Sequence, residues 1–284
     1  MVSVEDSIDL QRYPIHQPGS AGFNRLLESV HKELERQGCA KLDGFVKPMA
    51  ARALQEEGDR VACFAHRSFN RVNPYFTSDD EEFPPDHPRR RFNERSNAFV
   101  PADNFGDESL LRAIYEWPSF TDFIRRSLKE KEASFYRYDD PLADVIINVV
   151  DPGGGFPWHF DTNTYTVTLG IQPAERGGLF QYCPKLRSED SENYDQVAAV
   201  MDGDQTNVRS LELQPGDLQI FLGRYSLHQV TAVEGSLSRY VGIFSYANEP
   251  GMCGRVERTR QLYGRVLPVH LERDKKRRAD ALQD

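Results

Sequence analysis

Cysteine is scarce in this chain. The four cysteines, Cys39, Cys63, Cys183 and Cys253, form no C-x-x-C pair, which argues against a zinc ribbon or a secreted disulfide framework and fits a reducing compartment. Long apolar runs are missing too. One of the longest, Val145 to Val150, is broken by Asn148 and is far too short to span a bilayer. The opening MVSVEDSIDL carries acids where a signal peptide needs a basic region and then an apolar one. The expectation is a soluble, cytoplasmic protein with no membrane partner. Positive charge is also in short supply. Lys and Arg number 35 against 44 Asp and Glu, a net charge of −9, which repels a phosphate backbone and argues against nucleic acid as a partner. Before the tail, only PRRRFNER, residues 88–95, runs against that balance. There is no internal repeat or low-complexity linker, and a chain of 284 residues buries a sizeable core without staples.

What is present divides into two textures. FNRLLESVHKELERQG places Phe23, Leu26, Leu27, Val30 and Leu34 on one helical face, with Gly38 at the C-terminal end. KPMAARALQEEGDRVACFAH starts a second helix at Pro48. Residues 69–104, with EEFPPDHPRRR, predict a long ordered loop and a candidate lid. Helix returns in DESLLRAIYEW, with Asp107 as cap and Pro118 as stop, and in SFTDFIRRSLKEK. After Ser134 come short runs rich in β-branched and aromatic residues, among them ADVIINVV, TYTVTLGIQ, DLQIFLG and SRYVGIFSY, separated by turns such as ERGG and QPGD. About eight such strands without long helices between them predict a jelly-roll, the cupin-like double-stranded β-helix. An insertion with a short helix interrupts it at 188–207, and a final helix breaks near Pro268 before a charged tail. The expected organisation is one domain over 1–284: a helical and loop layer to residue 130, a β core over 131–250, and a C-terminal helix and tail over 251–284.

The chemistry concentrates in WHFDTNTYTVTL, residues 158–169, which reads as strand. Strand alternation puts His159 and Asp161 on one side, where they can chelate one ion, and continues that face through Asn163 and Tyr165. His228, late in the β region, supplies a third ligand. Two imidazoles and one carboxylate make the facial triad associated with non-haem Fe(II). Gly153 to Gly155 is followed by neither Lys-Ser/Thr nor a helix, so it reads as a strand connection and not a phosphate loop. Eleven residues past His228 stands Arg239, sharing a strand face with Val241, Ile243 and Ser245. A guanidinium among apolar neighbours wants an anion, and its planar fork suits a carboxylate. The alternative is an ion pair with Glu234 or Asp217. A dicarboxylate that chelates metal at one end and pairs with Arg239 at the other satisfies both demands, and 2-oxoglutarate has that shape. Ser245 is a candidate hydrogen-bonding partner for its far carboxylate. His16, His31, His66, His87 and His270 read as surface or loop residues.

These residues resemble the Fe(II)- and 2-oxoglutarate-dependent oxygenases, whose motif is H-x-D/E, a distal H, and an Arg roughly ten residues after it. His159, Asp161, His228 and Arg239 match it one for one. NPYFTSDDEEFPPDHPRRRFNERSNAFV, YRYDDPLADVIINVV, GGLFQYCP, PGDLQIFLGRYSLHQVTAVEG and RTRQLYGRVLP are similar to the branch acting on free amino acids, which contains carrier-independent halogenases and related hydroxylases. The likeness runs from Gln37 to Pro268. It implies Fe(II), 2-oxoglutarate and dioxygen as cofactors and cosubstrates, and hydroxylation of an unactivated C–H of a small polar substrate, a free amino acid or related secondary metabolite. Halogenating members replace the triad carboxylate by glycine or alanine, so Asp161 argues against halogenation. Desaturation or ring closure is the alternative within enzymes; a non-catalytic cupin-like metal-binding module is the alternative of another class. For the substrate, Arg91 and Arg95 are candidates to grip a carboxylate, Asn163 to touch it, Trp158 to wall the pocket, and Asp139 and Asp140 to receive an ammonium group. The oligomeric state leaves no mark in the sequence.

Overall fold

The β-branched and aromatic runs pair into two main antiparallel sheets, with three two-stranded ribbons beside them, in the computed structural model, which describes residues 3–277. The larger has seven strands in the spatial order Cys39–Leu42, Leu218–Phe221, Thr166–Gln172, Arg239–Phe244, Val145–Val150, Ala98–Val100, His66–Arg67. The smaller has four, in the order Arg209–Leu211, Phe180–Cys183, Leu227–Val230, Phe156–His159. From Val145 onward each sheet receives four strands, and the chain passes back and forth between the sheets, as in a jelly-roll. Val145–Val150 is buried at all six positions, which explains its nearly unbroken apolar run.

The N-terminal helices cover the outer face of the larger sheet. Ser20 caps Ala21–Gln37 by accepting from the Phe23 N–H, and Gly38 ends it in the left-handed conformation, φ 65°. Pro48–Val61, Leu110–Glu116 and Pro118–Ser127 complete the layer. Their apolar faces bury Phe23, Leu34, Leu54, Leu111, Phe120 and Phe123 with Leu169, Ile171 and Phe244 of the sheet in one cluster. Burying each such side chain is worth about 1.5–3 kcal/mol.

Three local expectations change. The helix Leu110–Glu116 is capped by Ser109 and not Asp107; the Ser109 hydroxyl accepts from the Arg112 N–H and donates to the buried Glu57 carboxylate. The segment 69–104 is not all loop: Ala98–Val100 joins the larger sheet, and Asn70–Val72 pairs with Asn93–Arg95. Strands of three residues are too short to show a period against so many prolines and charges. His270 is fully buried rather than superficial. It lies on Pro268–Arg277, with Nε2 3.1 Å from Asp140 Oδ1, and docks that helix on the β core. The insertion does hold a helix, Tyr194–Met201. The expected tail past residue 277 lies outside the described residues. Among those described, no helix is long and apolar enough to cross a membrane.

Candidate active site

The single strand expected over 158–169 is divided. Phe156–His159 belongs to the smaller sheet and Thr166–Gln172 to the larger, so Asp161 sits in the crossing between them. It is the bend, not strand alternation, that turns its carboxylate toward the imidazoles. His159 and His228 are register partners on neighbouring strands, with ring centroids 4.1 Å apart. Asp161 Oδ1 lies 3.9 Å from His159 Nε2 and 3.5 Å from His228 Nε2.

Their surroundings hold all three in a ligating state. His159 Nδ1 is 2.7 Å from the Pro157 carbonyl and His228 Nδ1 2.9 Å from the Ser226 carbonyl. A carbonyl can only accept, so each Nδ1 carries the proton and each Nε2 presents its lone pair. Burial first, then the neighbouring His228, keeps His159 well below the usual imidazole range and therefore neutral. Burial pushes the Asp161 carboxyl up, but its hydrogen-bonding neighbours, the Thr166 hydroxyl among them, outweigh it and hold it below the usual carboxylate range. Thr166 Oγ1 donates to Asp161 Oδ2 at 2.6 Å, and the Asp161 N–H donates to the Gly223 carbonyl at 3.1 Å. A Cβ placed on Gly223 would lie 1.9 Å from Asp161 Oδ2, so only glycine leaves the carboxylate its place. One ligand atom from each of the three residues fits within a 4.8 Å group. Two imidazoles and a carboxylate suit a divalent iron.

The triad opens into a cavity of about 160 Å³ that also receives Arg95, Arg239 and Arg258. Arg239 is 6 % exposed. Its expected rivals are engaged elsewhere: Glu234 with Arg176 at 3.5 Å, and Asp217 with Lys41 at 2.8 Å. Burial alone pushes its guanidinium down to about 10. Thr168 and Gln219, hydrogen-bonded to each other at 2.8 Å, line the same cavity. Among the described residues no acid pairs with Arg239, and a buried guanidinium so placed fits the far carboxylate of 2-oxoglutarate.

The remaining sequence candidates scatter. Arg95 is 1 % exposed and lines the cavity, with Nε donating to Asn97 Oδ1 at 2.6 Å and Nη1 without a partner. Arg91 turns away to pair with Asp202 at 2.7 Å. Ser245 follows the strand Arg239–Phe244, about 20 Å of extended chain from Arg239. It lines an adjoining cavity with Asn163 and Tyr165, not the one holding Arg239. Asn163 is exposed. Trp158, alternating with His159, packs against the cluster of Phe160, Cys183 and Leu227 on the other face. Asp139 pairs with Arg273 at 2.6 Å. Sequence reasoning missed Phe76, Asn148, Thr168, Gln219, Gly223 and Arg258. Thr168 and Gln219 follow from alternation only once the register Gln219↔Thr168 is known. Arg258, on the helix Val256–Tyr263, carries no local signal.

A jelly-roll with this donor set between its sheets is the architecture of the Fe(II)- and 2-oxoglutarate-dependent oxygenases, non-haem iron oxidoreductases that use iron, 2-oxoglutarate and dioxygen. Solved structures share the fold. A 2OG-Fe(II) oxygenase family oxidoreductase from Burkholderia pseudomallei is 12 % identical over 83 % of this chain and 94 % of its own, with a TM-score of 0.52. The epimerase SnoN from nogalamycin biosynthesis is 12 % identical over 79 % and 82 %, at 0.55. AviO1 from Streptomyces viridochromogenes is 14 % identical over 79 % and 96 %, at 0.53. No curated relative matches. Within this class the chain belongs to the halogenase D family, whose model matches residues 24–263.

Proposed function

We propose that this member of the halogenase D family is a hydroxylase, inserting one oxygen into an unactivated C–H bond of a small polar substrate, a free amino acid or a related metabolite. The observation that carries the reading is Asp161, a carboxylate held by Thr166 and accommodated by Gly223, where halogenating relatives keep glycine or alanine and thereby leave room for chloride. His159 and His228 hold Fe(II) through Nε2, and Asp161 through a carboxylate oxygen. Arg239 receives the far carboxylate of 2-oxoglutarate, with Thr168 and Gln219 beside it. Arg95 receives the substrate carboxylate.

Iron and cosubstrate, when bound, supply the oxidising power that breaks the C–H bond. The protein's part is placement and exclusion. The imidazoles are fixed through Nδ1 before metal arrives, so little reorganisation accompanies binding. Phe76, Phe99, Phe156, Phe180 and Phe221 line the cavity, which limits water around the reacting carbon and strengthens the guanidinium contacts. Overall, substrate, 2-oxoglutarate and dioxygen give hydroxylated substrate, succinate and carbon dioxide. The test is a screen of the iron-loaded protein against the common amino acids, reading succinate release and product mass. Hydroxylation adds one oxygen to the substrate; desaturation removes two hydrogens. A chlorinated product, or succinate with no substrate dependence, would overturn the proposal.

A further inference from the structure

Three guanidinium groups reach the metal-bearing cavity, and the reading above uses two. The third is Arg258. Its Nη1 donates to Gln261 Oε1 at 2.9 Å, and its guanidinium lies 4.9 Å from the centre of the Phe76 ring. Among the described residues neither Arg95 nor Arg258 has an ion-pair partner within 4 Å. Arg95 is held down to about 9, by burial first and then by the charge of Arg258. Two like charges facing one partly dry cavity repel, and an anion between them relieves both.

Acids are scarce on the other side of the account. Asp161 and Asp140 are the carboxylates lining this cavity and the adjoining one. Asp161 belongs to the triad. Asp140 accepts from the Leu142 and Gly254 N–H groups, each at 2.8 Å, from His270 Nε2, and from the Cys253 thiol at 3.4 Å. Its lone pairs are taken, so it has none left for a substrate ammonium group. The charges of iron, Asp161, Arg239 and 2-oxoglutarate cancel, which leaves the two cations of Arg95 and Arg258 to face the carboxylates of the substrate.

We propose, building on the hydroxylase reading, that Arg95 and Arg258 form the two arms of a clamp for a substrate bearing two carboxylates, an acidic amino acid or closely related dicarboxylate. Arg258 is then the residue that sets specificity against neutral and basic amino acids. Arg95 reaches the cavity from the strand Asn93–Arg95 and Arg258 from the helix Val256–Tyr263, so the two arms come from separate elements. A substrate with a single carboxylate satisfies only one of them, and a lysine side chain adds a third cation to the pair.

The test is calorimetric titration of the Mn(II)-loaded protein, with saturating 2-oxoglutarate, by L-aspartate, L-glutamate, L-leucine and L-lysine. At least one acid binds roughly tenfold or more tighter than leucine, and lysine binds weakest. Arg258→Gln lowers the affinity for that acid roughly tenfold and brings it level with leucine. Arg258→Lys restores part of the loss, because the charge and not the packing over Phe76 carries the effect. Leucine or lysine binding more tightly than both acids, no binding of either acid, or an unchanged acid affinity in Arg258→Gln overturns the clamp. A preceding titration with 2-oxoglutarate separates the two readings. If the cosubstrate does not bind, the oxygenase site itself fails; if it binds and acids are not preferred, only the clamp fails.

Discussion

At the scale of single residues, the Asp161 carboxylate depends on two neighbours that never touch a metal. Gly223→Ala puts a methyl group where Oδ2 now sits, and metal affinity should fall by roughly 100-fold or more, read by Mn(II) or Fe(II) titration. Thr166→Val removes the 2.6 Å hydrogen bond to Oδ2 and should weaken the metal about tenfold, with little change in melting temperature. His159 gives the pH dependence of the metal-free protein. Its folded-state affinity for protons is depressed by burial, so the unfolded chain binds a proton near pH 6.5 that the folded chain refuses. Stability is therefore level above about pH 6.5 and declines as pH falls below it. Urea midpoints at pH 8 and 5.5 should differ in that direction, and equal midpoints would mean that the imidazole charges freely in the fold.

Elements were legible from the sequence where one period ran long enough to be heard. The helices at 21–37 and 48–61 carry a stripe over several turns with Gly38 and Pro48 at their ends, and both stand in the structure. The strand through 158–169 was legible in type and wrong in extent, because nothing local marks the point where a chain leaves one sheet for another. Ser245 went astray for the same reason: alternation past Phe244 assumes a strand that has already ended. The loop carrying Phe76 was legible as irregular and no further. Its organiser is Asn73, fully buried, whose Nδ2 donates to the Thr77 and Arg89 carbonyls at 3.0 and 2.6 Å and whose Oδ1 accepts from the Tyr75 and Thr77 N–H groups at 3.0 and 3.1 Å. Those bonds hold Phe76 at a φ of 56°, which an aromatic residue adopts only under constraint. Asn73→Ala should cost about 2 kcal/mol. It should also raise the substrate KM and speed proteolytic cleavage within 77–87, while metal affinity changes little.

At the scale of the whole molecule, the class of fold, the grouping of His159, Asp161 and His228 and the burial of Arg239 were readable because each depends on residue type and spacing. The Cys253, Gly254 and His270 partners of Asp140 were not, since they come from segments more than 100 residues away in the sequence. Asp140 ties Gly254, Cys253 and His270 to the turn before Val145–Val150, and so ties the C-terminal helices to the β core. Asp140→Ala leaves two buried N–H groups and an imidazole N–H without an acceptor. The expected loss is about 3 kcal/mol, measured by chemical denaturation, with the active site otherwise intact in the folded fraction.

The crowding of Asp161 against Gly223 constrains how such proteins diverge. A lineage that trades the carboxylate for a small residue frees position 223 to acquire a side chain, whereas a side chain gained there first would strand the carboxylate. The two positions should therefore covary across relatives, and the path between descendants with and without the carboxylate has an order: 161 shortens before 223 fills, and 223 empties before 161 lengthens.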